Sequence, residues 1–91
     1  MERNIEKYLV NKVKSLGGLA LKWVSPGYVG VPDRIVLLPN GKMFFVECKD
    51  KDGRLSPVQA ARIKKLESLG SRVFVINSKE QIEKILEEVI S

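Results

Sequence analysis

Ile5, Leu9, Val13 and Leu16 recur at helical spacing, with Val10 widening the stripe, and predict a helix from about residue 2 to Leu16 that ends at Gly17-Gly18. Leu19 to Ser25, carrying Lys22 and Trp23, reads as a first strand, with Trp23 in a core or interface role. A Pro- and Gly-rich loop, Pro26 to Pro32, then leads into two runs rich in β-branched and aromatic residues, Asp33 to Leu38 and Lys42 to Lys49. After a charged loop from Asp50 to Leu55, Ser56 caps a helix whose first position is Pro57, and Gln59, Ile63 and Leu66 share the face turned toward the sheet. Gly70 closes this helix, and Arg72 to Ile76 is the last strand, parallel to a neighbour because a helix intervenes. Ser78 to Gln81 is a capping-box pattern opening a final helix with Ile82, Ile85, Leu86, Val89 and Ile90 on its apolar face. The predicted order is αβββαβα, an α/β fold in one domain over residues 1–91, with no internal repeat or linker.

The hairpin Pro39-Asn40-Gly41 admits two registers, and they have opposite consequences. A two-residue Asn40-Gly41 turn sets Arg34 opposite Glu47 and turns Asp33 to the other side of the sheet. A three-residue loop, with Pro39 and Asn40 in a type I turn and Gly41 left-handed, pairs Leu38 with Lys42 and Asp33 with Glu47. The second is favoured because Pro39 suits the first central turn position, whereas the first would ask it for a ladder N–H it lacks. One face then carries Asp33, Ile35, Leu37, Met43, Phe45, Glu47 and Lys49, and the other Val36, Leu38, Phe44, Val46 and Cys48. Both faces are apolar, so helices should cover both, with the charged end of the first face open to solvent.

That charged end carries chemistry. Two carboxylates about 4 Å apart repel by about 4 kcal/mol at an effective dielectric of 20, so the pair should take up a cation or a proton. Hard cations such as Mg²⁺ prefer carboxylate, carbonyl and water oxygens, and they promote phosphodiester hydrolysis by polarising the phosphoryl oxygen and acidifying water. Asp33 and Glu47 are the candidate ligands, with the carbonyl of Cys48 as a further donor while its thiol packs on the opposite face. Lys49, two residues beyond Glu47, projects to the same side and would orient the water or offset charge on the phosphate. Glu-x-Lys by itself is a weak signal, since surface strands carry such pairs. Glu6 sits at the edge of an apolar stripe, where a solvated role competes with a catalytic one. Gln59, an amide on an apolar face, needs a partner, either water or phosphate at the site or a backbone group.

Pro32-Asp33 followed by Glu47-Cys48-Lys49 resembles the PD-(D/E)xK nuclease superfamily. Gly30 to Leu38 (GVPDRIVLL), with an acid in an upstream helix and Gly53-Arg54-Leu55-Ser56-Pro57-Val58-Gln59 downstream, looks like the VRR-NUC (virus-type replication-repair nuclease) family. The resemblance covers nearly the whole chain. It implies a restriction-endonuclease-like core, Mg²⁺ or Mn²⁺ dependence, and structure-selective cleavage of DNA. Stand-alone forms of this size are similar to Holliday junction resolvases acting on four-way junctions as homodimers. It further implies metal ligation by Asp33 and Glu47, catalysis by Lys49, a helix-borne acid at Glu6 that reaches the metal directly or through water, and a site-lining amide at Gln59.

Size and charge narrow the alternatives. At 91 residues the chain is long enough to bury only somewhat more than about 60% of its unfolded surface, a limit that a dimer interface would relieve. A formal charge of +5 favours a polyanionic partner, although the basic residues are spread along the chain. One Cys and no His leave no intrachain disulfide and no imidazole for zinc, which suits a reducing cytoplasm, of a bacterium or of a phage host. Neither a signal peptide nor a membrane span is expected. The rival to the nuclease is a non-catalytic nucleic-acid-binding or dimerisation module on the same fold, which would have no need of Asp33 and Glu47 facing each other beside Lys49.

Overall fold

A computed structural model describes residues 2–49 and 52–91, so Asp50 and Lys51 of the expected charged loop lie outside the described residues. The elements follow in the expected order: α1 (Glu2–Ser15), β1 (Leu19–Lys22), β2 (Arg34–Leu38), a 3₁₀ turn (Pro39–Gly41), β3 (Lys42–Cys48), α2 (Pro57–Ser68), β4 (Val73–Ile76) and α3 (Lys79–Ile90). They form one sheet of order β1-β2-β3-β4, antiparallel except for the parallel β3–β4 pair. The β4 crossover is parallel because α2 intervenes between the two strands.

Leu38 pairs with Lys42, Leu37 with Met43 and Ile35 with Phe45, which is the three-residue-loop register. The turn itself differs from expectation. Asn40 is left-handed (φ 68°, ψ 27°) and so is Gly41 (φ 74°), so Asn40 does not occupy a type I position. Both residue types tolerate positive φ, and two successive left-handed residues reverse the chain with the same pairing as the expected turn. β1 also stops at Lys22 rather than running to Ser25. Trp23 N–H still donates to Asp33 O at 2.9 Å, but β2 begins only at Arg34, so the ladder has no further rung to offer.

The two faces of the sheet are covered unequally. Ile5, Leu9 and Val13 of α1 and Ile82, Leu86 and Val89 of α3 pack against Ala20, Val36, Leu38, Phe44, Val46, Cys48 and Ile76 in one buried cluster. Phe74 meets Phe44 edge to face at 5.2 Å, and the two helices are joined by the Tyr8 hydroxyl donating to Glu83 and by Lys12 at 3.4 Å from the same carboxylate. On the opposite face α2 contributes no fully buried residue, only half-buried ones such as Ile63 and Leu66. Its cover stops short of β1 and the near end of the hairpin, where Leu19, Leu21, Leu37 and Met43 stay exposed. The expectation of full cover on both faces holds for one of them.

Candidate active site

The α2 face of the sheet is built in rows. Leu19, Leu37 and Met43 stand opposite one another, then Leu21, Ile35, Phe45 and Val73. Continuing the ladder brings Trp23, Asp33, Glu47 and Val75 into the next row. Asp33 and Glu47 therefore share a face, as the register requires. The ring of Trp23 stacks on Phe45 at 4.8 Å and forms an apolar floor beside the acids.

Glu47 is 3% exposed, contrary to the expectation of a solvated charged end, because strands on both sides and α2 above enclose it. Burial pushes its carboxyl above the ordinary glutamate range, and the charge of Asp33 pushes it further, while Lys49 pulls the other way.

Lys49 and Gln59 compensate in part. Lys49 Nζ lies 3.3 Å from Glu47 Oε2 and donates to Gln59 Oε1 at 2.9 Å. The Gln59 amide donates from Nε2 to Glu47 Oε2 at 3.2 Å, and its oxygen also accepts the Ser56 N–H at 3.0 Å. Gln59 N–H donates to Ser56 Oγ at 3.2 Å, closing a capping box at the start of α2. One side chain therefore ties the helix cap to both charged groups. Of the partners expected for this amide, the backbone group is met by Ser56 N–H, and the remaining partners are the side chains of Lys49 and Glu47.

Asp33 is anchored differently. Its Oδ2 accepts the backbone N–H of Cys48 at 2.9 Å. This bond bridges β2 and β3 where they part and leaves Asp33 Oδ1 with no hydrogen-bond donor among the described residues. The Cys48 thiol is buried in the cluster on the opposite face. Burial, then the charges of Asp33, Glu6 and Glu47, hold its pKa up at about 12, which makes it an inert thiol.

Glu6 does not join Asp33 and Glu47. It rises from α1 on the other face of the sheet, where Arg34 Nε donates to its Oε2 at 2.7 Å. Arg34 also donates to Ala20 O at 3.1 Å. Among the described residues no group of three or more His, Cys, Asp or Glu side chains is placed to hold an ion together. The physical reason is alternation: Arg34 follows Asp33 on β2 and so points to the α1 face, where it captures the acid that meets it. Sequence reasoning missed Arg34, although a cation followed on the same face by Val36 and Leu38 already called for an anionic partner from the covering helix.

A family model described as the VRR-NUC domain matches residues 5–80. A protein of Acyrthosiphon pisum secondary endosymbiont phage 1, named "Putative nuclease p44", is 49% identical over 79 residues, which is 87% of this chain and 85% of the relative. A solved structure described as a VRR_NUC domain superposes with a TM-score of 0.88 at 36% identity, covering 94% of each chain. The α/β architecture described above is thus the fold of that structure as well. With the family model spanning most of its length and a relative close to half identical, the chain belongs to the VRR-NUC domain family and is a nuclease.

Proposed function

We propose that this nuclease is a divalent-metal-dependent endonuclease that hydrolyses DNA phosphodiester bonds at branched structures, four-way junctions among them. The observation that carries the reading is the burial of Glu47 on the same sheet face as Asp33, with Lys49 as the cation beside it. A module that only bound nucleic acid would gain nothing from enclosing one carboxylate near another, since burying a charge is costly unless something compensates it. The donor set fits Mg²⁺ or Mn²⁺: carboxylate oxygens of Asp33 and Glu47, with the carbonyl of Cys48 next to Glu47 on β3, are hard ligands, and no imidazole is present. When bound, such an ion polarises the phosphoryl oxygen and lowers the pKa of the attacking water.

The chain's own residues do the rest. Cys48 N–H fixes one oxygen of Asp33 and so orients the other. Gln59 holds Lys49 and Glu47 at a set separation, which keeps the ammonium where negative charge builds on the phosphate in the transition state. Glu6 contributes at a distance, by steadying Arg34 and with it the β2 segment that begins beside Asp33. It is a positioning residue.

A homodimer is part of the proposal. The row Leu19, Leu37 and Met43 is 55%, 38% and 44% exposed, and it adjoins exposed Leu21. Such a row of neighbouring exposed apolar side chains is a surface for association, and a second copy meeting it across a two-fold axis would cover both. Two sites related by such an axis suit symmetric cuts in a junction. Among the described residues no helix is long and apolar enough to cross a membrane, and the phage relative fits action on DNA in a bacterial cytoplasm.

The direct test gives labelled four-way junction, flap, duplex and single-stranded DNA to the purified protein with Mg²⁺, Mn²⁺ or EDTA. Metal-dependent incision near the branch is expected. Incision undiminished by EDTA, or none on any DNA with either metal, overturns the proposal.

A further inference from the structure

The segment between β1 and β2, residues 24–32, leaves apolar side chains in water. Val24 is 72% exposed, Val29 66% and Tyr28 42%, far more than a loop needs to join two antiparallel strands. Yet the loop is not loosely held. Its base is closed by Trp23 N–H donating to Asp33 O at 2.9 Å, and Tyr28 N–H donates to Ser25 O at 3.2 Å within it. Arg62 of α2 clasps the far side: its guanidinium carbon stands 4.0 Å from the centre of the Tyr28 ring, and its Nε donates to Val29 O at 2.7 Å. Gly30 (φ +88°) completes the fit, since a Cβ there would come within 3.2 Å of the Val58 backbone and of Arg62.

Apolar groups held in water cost solvation free energy, and apart from the Tyr28–Arg62 contact the exposed Val24 and Val29 side chains are left in solvent. Their position shows what they gain elsewhere. The base of the loop closes on Asp33 itself, and its far side rests on Val58 and Arg62, on the same helix as the site-lining Gln59. Arg62 puts a cation behind the aromatic ring, complementing the phosphate attached to any base that stacks on the ring's free side. The chemistry of the spot matches a nucleobase that has lost its stacking neighbour: an aromatic plane, adjacent aliphatic side chains and a cation.

We propose that Tyr28 and Val29 form a platform for an unstacked base beside the scissile phosphodiester, and that the preference for branched over continuous duplex DNA resides in this loop. The inference rests on the DNA-cleavage reading above and deepens it. Continuous duplex offers no exposed base plane, whereas a branch point or a single-strand flank does. Arg62 acts as a positioning residue by fixing the ring.

Binding measured in EDTA separates this proposal from the cleavage reading. A four-way junction carrying 2-aminopurine at its branch, and a continuous duplex of equal length, are titrated with wild type, Tyr28→Phe and the double variant Tyr28→Ala with Val29→Ser. Wild type is expected to change the probe's fluorescence on the junction, and the double variant to bind the junction about tenfold more weakly with duplex affinity unchanged. Tyr28→Phe, which keeps the plane, is expected to behave as wild type. Equal losses on both DNAs, or no loss on either, overturn the proposal. So does a shift of the double variant from dimer to monomer by sedimentation, which would assign the tip to a second copy of the chain. If wild type bound the junction through this loop but cut nothing with Mg²⁺ or Mn²⁺, the cleavage reading would fail while the platform stood.

Discussion

The two faces of the sheet share the same strands yet have been put to opposite uses. On the α1/α3 face the central strand positions meet apolar partners, the cations at its margins are exposed (Lys22) or reach the Ile90 carbonyl (Lys42), and Arg34 is neutralised by Glu6. On the α2 face a buried carboxylate shares its row with a second acid, several large apolar residues stay exposed, and the covering helix buries nothing completely. Alternation along β2 and β3 assigns successive residues to the two faces, so stability and chemistry are interleaved in sequence and separated in space. A substitution at Cys48 should register in folding, and one at its neighbour Glu47 in activity.

The sharpest break between the faces is expected at Asp33. Asp33→Asn should lower the cleavage rate by at least about 10³-fold, about 4 kcal/mol of lost transition-state stabilisation, with the melting temperature within about 2 °C of wild type. Rate assays and thermal denaturation on one preparation check both halves. On the other face Leu86→Ala is expected to cost about 2 to 5 kcal/mol of unfolding free energy through the cavity it leaves, visible in urea denaturation. Its residual folded fraction should keep wild-type turnover.

Gln59 stands where the two uses meet, and Gln59→Ala sharpens the comparison there. Loss of the capping-box side chain should destabilise by about 1 kcal/mol, and release of Lys49 should lower turnover by about tenfold without lowering substrate affinity. A stability loss with unchanged turnover would place Gln59 with the fold alone.

The smallest effect concerns the charge of Glu47. Its pKa is raised in the folded state, so its contribution to metal-free stability is fully present below the ordinary glutamate value and is lost as pH rises through the raised one. Glu47→Gln removes that loss, and in EDTA near neutral pH it should melt above wild type. Added Mn²⁺ should raise the melting point of wild type and leave the variant where it was.

Much of this layout was legible in the chain. Pro39, lacking an N–H, was enough to choose the register that sets Asp33 against Glu47, because a ladder position needs a donor. The caps at Ser56 and Ser78 were equally local, each a hydroxyl three residues before a glutamine. What escaped was long-range. The left-handed Asn40 was hidden because Asn tolerates either sign of φ, and the pairing is the same for both turns. The burial of Glu47 depends on how far α2 reaches over β3, and the clasp of Arg62 on Tyr28 joins residues far apart in sequence that only the sheet and α2 together bring close. Glu6, expected beside the two acids, lies instead against Arg34 on the other face. Its placement opposite Arg34 follows from which face α1 covers, and the helical stripe by itself does not fix that.

Calorimetric titration of Mn²⁺ into the DNA-free protein tests the central claim most directly, with wild type, Asp33→Asn, Glu47→Gln and Glu6→Gln compared at one pH. Saturable binding by wild type and Glu6→Gln, abolished in both Asp33→Asn and Glu47→Gln, is the predicted result. Binding that survives in the Asp33 and Glu47 variants would contradict the assignment of these two carboxylates as the grip on the ion.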